Sequence, residues 1–190
     1  MTYMKKHSFI QFDFHSSVKI HQSDKKKLLQ WLSMASEVME KLIHNKKLIH
    51  SSWLQGSQGM RISILLCGDA KMKKLNAEYR GKNKVTDVLS FPSFESLRKS
   101  RPRMELLSPE IFLGDLAICH RKIIEQARDF DITYWDEFIH LVIHGMIHLM
   151  GYDHEISPTE ERIMQEWENV SLNLFSKIKK RGPKAPFIET

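Results

Sequence analysis

Apolar and polar positions in this chain follow two periods, and the changes between them mark its elements. Over residues 8–14 they alternate, as in a strand with one buried face. Ser23 is a residue type suited to cap a helix. Beyond it Leu28, Leu32, Ala35, Met39 and Leu42 recur at spacings of four and three, predicting a helix to about Asn45 with one buried stripe. Arg61–Cys67 (RISILLC) is a compact apolar run ending at Gly68, a buried strand. Asp69 is placed to cap a short helix that Gly81 would end after Arg80. Val85–Phe91 (VTDVLSF) reads as a strand stopped by Pro92. Residues 93–110, polar and broken by Pro102 and Pro109, read as a surface loop. Leu113–Cys119 is a further strand, followed by helices over about Arg121–Arg128 and Tyr134–Met150. Ser157, Pro158 and Glu160 form a capping box for a last helix, which places Ile163, Trp167, Val170 and Leu174 on one side.

This order of elements predicts an α+β fold, with a small mixed sheet of about four strands packed with about five helices. Residues 1–176 make one domain, and 177–190 (KIKKRGPKAPFIET) have the composition of a flexible basic tail. The most apolar run, Phe138–Met150, is too short to cross a membrane and carries three histidines. Asp13 and His15 interrupt the N-terminus before a signal-peptide core could form. Cys67 and Cys119 are the only cysteines, too few for a disulfide scaffold and without zinc-type spacing. A soluble, cytoplasmic protein with no membrane partner is the expectation.

Charge sharpens the picture. Residues 71–103 hold ten Lys or Arg against Glu78, Asp87 and Glu95, whereas residues 132–170 hold eight acids against Arg162 alone. A basic surface of this kind suits a polyanion such as RNA, with an acidic flank elsewhere; uneven solvated charge is the bland reading.

The chemistry is concentrated in HLVIHGMIHLMGYDH, residues 140–154. His144 and His148 lie four apart on a predicted helix, so both imidazoles reach one face. Gly151 permits the left-handed turn that ends the helix, and His154 follows three residues later. Three neutral imidazoles leave the fourth position of a tetrahedral zinc open for water, the arrangement of a metal-dependent hydrolase. The same spacing occurs in metzincin peptidases, but there a glutamate general base follows the first histidine. Gly145 stands at that position here, so a peptidase lacks its proton acceptor. His140 is read as a non-ligand, since a fourth imidazole would close the site. Asp153 could orient a histidine or cap the turn, and Asp87, Ser90 and Asp115 are strand-end polar residues of a commonly structural kind.

Together HGMIHLMGYDH, YRGKNKVTDVLSFP (79–92) and LGDLAIC (113–119) resemble the YbeY family of bacterial endoribonucleases, over roughly residues 60–170. The resemblance implies a metal-dependent endoribonuclease directed at single strands, acting in ribosomal RNA maturation at the 16S 3′ end and in ribosome quality control. It also implies ribosomal proteins or assembly factors as partners. By position it gives the metal role to His144, His148 and His154, with zinc as the expected ion, and a functional role to Arg80. The physics of Arg80 agrees, since a guanidinium fork holds a phosphate through two hydrogen bonds. Lys82 and Lys84 could follow an RNA backbone. Two other readings stay open on the residues alone: a non-catalytic ribosome assembly factor with a structural metal, and a metal hydrolase of another class.

Overall fold

A computed structural model of the chain describes residues 2–3, 8–46, 48–100 and 109–182. Its elements, in chain order, are β1 (Thr2–Tyr3), β2 (Ile10–Ser16), α1 (Gln22–Lys46), β3 (Gly59–Cys67), α2 (Asp69–Arg80), β4 (Val88–Pro92), β5 (Glu110–Cys119), α3 (His120–Asp129), α4 (Tyr134–Leu149) and α5 (Pro158–Arg181). A single 3-10 turn, Ser51–Trp53, separates α1 from β3. The strands form one mixed sheet in the order β1-β2-β3-β5-β4. β2, β3 and β5 run parallel, while β1 and β4 are antiparallel at the two edges. The expected α+β class is therefore correct. The sheet has five strands rather than about four, because Thr2–Tyr3 pairs with Phe12 and Asp13.

Alternation along the strands sends side chains to two different layers. Ile62, Ile64 and Leu66 of β3, with Leu116 and Ile118 of β5, face the large core built by α1, α4 and α5. Cys67, Leu89, Ala117 and Cys119 face the other way and pack on Met72 of α2. The stripe predicted for α1 is buried throughout. α4 is the central helix, with Phe138, Ile139, Val142, Ile143, Met146, Ile147 and Leu149 all removed from solvent. Each such side chain contributes about 1.5–3 kcal/mol of transfer free energy. That burial fixes the helix carrying two of the three candidate ligands.

Several local expectations need correction. Gly68, not Asp69, is the N-cap of α2 and makes no side-chain bond there; the Asp69 carboxylate accepts instead from Arg121 and from the Cys119 thiol. α1 begins at Gln22, so Ser23 lies inside the helix. Pro92 closes β4 as its last residue. The segment after it is more than surface loop: Leu97 is fully buried, its N–H donates to the Met150 carbonyl and its carbonyl accepts from His50. On α5, Val170 is exposed, and the buried line runs instead through Met164, Glu168, Ser171, Phe175 and Ile178. α5 continues to Arg181, five residues into the segment read as a basic tail, and residues 183–190 lie outside the described residues. No described helix is long and apolar enough to cross a membrane.

Gly114 marks the one irregularity between β3 and β5. Arg61 pairs with Phe112 and Ile62 with Gly114, leaving Leu113 as the extra residue of a bulge. Its φ of +136° is open to glycine, and a Cβ there would stand 2.2 Å from the Phe91 carbonyl oxygen. The glycine thus lets β4 approach β5 closely.

Asp87 fastens the start of β4. Its carboxylate accepts from Thr86 Oγ1 at 3.0 Å, Val88 N at 2.8 Å and Gln126 Nε2 of α3 at 2.8 Å. Burial alone would raise its pKa, but the bonds from Gln126, Val88 and Thr86 outweigh it and hold the carboxyl below its ordinary range. A depressed carboxylate stabilises the fold above its unfolded pKa of about 3.9, and that contribution is lost as pH falls through the lower folded value. Asp87→Ala is expected to destabilise the protein by about 2–3 kcal/mol at pH 7. Urea unfolding of both proteins checks this, and the gap should narrow as pH falls below about 4.

Candidate metal centre

α4 and the turn after it build the site. Thr133 caps α4 by accepting from Asp136 N, and the helix then carries His144 and His148 one turn apart on one face. Met150 ends the helix. Gly151, at φ +91°, donates to the His148 carbonyl at 2.9 Å, and Tyr152 N donates to the Ile147 carbonyl at 3.3 Å. This is a Schellman closure, which requires the left-handed residue. A Cβ at Gly151 would stand 2.6 Å from Ser96 Cα, so space as well as φ demands glycine. Tyr152 is buried and its hydroxyl donates to the Leu48 carbonyl at 2.8 Å, anchoring the returning chain on the core. Asp153 tightens the next turn, its Oδ1 accepting from Glu155 N at 2.9 Å.

The result is convergence. The rings of His144 and His148 are 4.7 Å apart between centroids, those of His148 and His154 5.0 Å, and those of His144 and His154 5.4 Å. One nitrogen from each lies within 4.8 Å of the others, and His154 is the exposed member. Among the described residues no other group of three His, Cys, Asp or Glu side chains meets this condition. A tetrahedral zinc holds histidine nitrogens about 3.4 Å apart, so ring rotations of about an ångström would complete the contact. The donor set fits a single divalent ion with one side open to solvent.

Protonation favours ligation. The His148 pKa is pushed down to about 4, by burial first and by the neighbouring His144 and His154 next, while Asp153 and a hydrogen bond to the Tyr152 backbone pull the other way. It is neutral at physiological pH, as a metal ligand must be. His144 is oriented from behind: its Nδ1 is hydrogen-bonded to Glu168 Oε1 of α5. Burial pushes the Glu168 carboxyl up, but the His144 bond and the nearby imidazoles more than offset this and leave it below its ordinary value. An ionised carboxylate only accepts, so Nδ1 is the donor in this bond, which leaves Nε2 as the nitrogen of that ring able to face an ion.

Glu168 escapes the sequence reading because it stands 24 residues from His144. A signal existed, since Met164, Glu168, Ser171, Phe175 and Ile178 keep helical spacing and a carboxylate on that apolar line needs a buried partner. His140 stays outside the donor set, with Nδ1 at 3.3 Å from Glu137 Oε2. That bond, opposed by burial and helped by nearby Glu137, Glu168 and Asp87, raises its pKa. Ser90 faces α4 across from Gly145, and Asp115 is exposed on β5.

Arg80 reaches the same region from another element. It is the last residue of α2, which Gly81 ends at φ +66°. The loop beyond is folded back by the buried Asn76, whose Nδ2 donates to the Lys84 carbonyl at 2.8 Å. Arg80 Nη1 lies 3.5 Å and Lys82 Nζ 3.9 Å from Glu155 Oε1, in the residue following His154. A third link between the basic and acidic segments is Arg98–Glu160 at 2.5 Å. The two charge blocks of the sequence thus meet at these contacts, the first two of them beside His154. Exposed pairs of this kind contribute at most about 1 kcal/mol each and are readily exchanged.

Known proteins resemble this chain in sequence and in fold. The chain is 44% identical over 112 residues to the protein named Endoribonuclease YbeY of Thermodesulfovibrio yellowstonii, covering 59% of this chain and 65% of that one. With the Leptospira interrogans protein of the same name it shares 39% over 138 residues, covering 69% and 97%. The solution structure of TM1509 from Thermotoga maritima is similar in fold, with a TM-score of 0.52 at 23% identity, over 91% of this chain and 96% of that one. The family model for Endoribonuclease YbeY matches residues 17–176. That span takes in α2 with Arg80, the three histidines and Glu168, and on it the chain belongs to the endoribonuclease YbeY family.

Proposed function

We propose that this chain is a metal-dependent endoribonuclease that cuts single-stranded regions of ribosomal RNA, in 16S 3′-end maturation and ribosome quality control. His144, His148 and His154 hold one divalent ion, zinc, and Arg80 engages the substrate phosphate. The observation that carries this reading is the convergence of three imidazoles, the first backed by Glu168, beside a cationic helix end. A divalent ion bound there supplies Lewis-acid chemistry to a phosphodiester. The remaining steps belong to the chain. Glu168 holds the His144 ring in one tautomer and orientation. Arg80 exchanges its contact with Glu155 for two hydrogen bonds to the phosphate and stabilises the charge that grows there. Lys82 and Lys84 follow the backbone on either side. Ribosomal proteins or assembly factors bring the enzyme to its substrate, in the cytoplasm.

Cleavage of a defined RNA by metal-loaded, chelated and Arg80-substituted protein tests this reading. Chelation should abolish cleavage, and Arg80→Ala should lower kcat/KM by roughly 100- to 1,000-fold. Arg80→Lys should recover only part, since an ammonium lacks the planar fork. Cleavage that survives chelation would sink the metal reading. Full metal content and RNA binding without cleavage would point instead to an assembly factor with a structural metal. Product ends add the nucleophile: a 2′,3′-cyclic phosphate identifies attack by the RNA's own 2′-hydroxyl and excludes direct attack by water.

Glu168 gives a separate check. Removing a carboxylate behind a ligating histidine weakens metal affinity by about 10- to 100-fold. Glu168→Ala should show that loss in a competition titration against a chromophoric chelator, and Glu168→Gln, which can still accept from Nδ1, should show less. Equal affinity in all three proteins would remove Glu168 from the site.

A further inference from the structure

One aromatic residue beside the site is unused by the chemistry above. Tyr79 precedes Arg80 on the last turn of α2, yet its side chain is 61% exposed. It is not loose, because its ring meets that of Phe91 at 5.0 Å between centroids with 71° between planes. Phe91 belongs to β4, the edge strand of the sheet, and points to the α2 side with Leu89, whereas Ser90 between them points to α4 and Gly145. Tyr79 therefore lies on the α2 side of β4, Gly145 beside His144 lies on its α4 side, and Arg80 reaches Glu155, the residue after His154. The Asn76 bond to Lys84 holds the cationic loop beside them in place.

We propose that Tyr79 is a base-stacking platform, held upright by Phe91, that receives the unpaired nucleotide next to the phosphate bound by Arg80 and so selects single-stranded RNA. The inference rests on the endoribonuclease reading. A ring held on one side and open on the rest, one residue from a phosphate-binding fork, matches how single strands are gripped: cations track the backbone and aromatic faces take bases in turn. A paired base is stacked above and below and offers no free face, whereas a splayed base does. The edge-to-face contact with Phe91 is a favoured aromatic geometry, and it leaves most of the Tyr79 surface in water, free to meet a base.

The test uses the full chain, metal-loaded, and an end-labelled single-stranded RNA with one mapped cleavage site. Tyr79→Ala is expected to raise KM by roughly tenfold, within the range that loss of one base–aromatic stack produces. kcat, metal content and thermal midpoint should stay near their original values, and Tyr79→Phe and Tyr79→Trp should restore KM. A second RNA carries an abasic residue beside the cleaved bond. On it the unsubstituted protein should show the raised KM, and Tyr79→Ala should add nothing further. A cleaving Tyr79→Ala protein with unchanged KM overturns the stack and leaves the endoribonuclease reading intact. A fall in thermal midpoint that accounts for the loss, unrelieved on the abasic RNA, assigns Tyr79 to structure and also overturns it. Absence of cleavage by the unsubstituted protein overturns the parent reading and the stack with it.

Discussion

His148→Ala is expected to lose stoichiometric metal and, with it, RNA cleavage. His148 is the ligand between the other two, and nearby groups among the described residues are already engaged, His140 by Glu137 and Asp153 Oδ1 by Glu155 N. Dropping from three protein donors to two should weaken the ion by roughly a hundredfold or more. Elemental analysis after dialysis and a cleavage assay on defined RNA check both losses. A protein that keeps one equivalent of metal and full activity would end the assignment. The same substitution has a signature in the metal-free protein. An unfolded histidine takes its proton near pH 6.5, while folded His148 resists to about 4. Between those values the unfolded chain binds more protons, so metal-free stability falls as pH drops through the window. His148→Ala should lack that part of the fall, which denaturant unfolding at pH 7 and pH 5 would show.

Placing a glutamate after the first histidine should not make a peptidase; Gly145→Glu is expected to destabilise the fold severely. A Cβ at Gly145 would already lie 2.7 Å and 3.1 Å from the two Leu116 methyl carbons and 3.3 Å from Ser90 Oγ. The position is the seam where α4 rests on β4 and β5, and Leu116 is fully buried. Gly145→Ala carries an overpacking cost of about 1–3 kcal/mol against about 1 kcal/mol of helix propensity gained, a small net loss. A carboxylate there is also desolvated and unpaired, so the cost rises to several kcal/mol, a large share of a domain's stability. The expected result is insoluble protein or a thermal midpoint lowered by about 10 °C or more. A soluble Gly145→Glu protein with an unchanged midpoint and new peptide hydrolysis would overturn the packing account and revive the peptidase chemistry.

Gly145 illustrates what the sequence can and cannot say. Its departure from the peptidase pattern was legible, and so was the need for a reason to keep glycine inside a helix. The reason itself, contact with Leu116, joins residues 29 positions apart on different elements. Glu168 is similar. Its helical phase pointed inward, but only the docking of α5 on α4 identifies His144 as its partner. The apolar spacing of α5 takes in Val170, which is exposed, because neighbouring helical lines carry comparable apolar content and tertiary contact alone selects between them.

What the sequence determined by itself is local. Spacings of three and four placed α1 and α4, the His144–His148 interval put two imidazoles on one face, and glycines at 81 and 151 marked the left-handed helix ends. Those features depend on a few consecutive backbone angles, which residue type constrains directly. The tertiary structure alone decided the strand order, the bulge at Gly114, the carboxylate behind His144 and the approach of Arg80 and Tyr79 to the edge beside the histidines. Each brings together residues far apart in the chain, and such contacts are selected by how buried faces fit one another, a property of the whole assembly that no single stretch encodes.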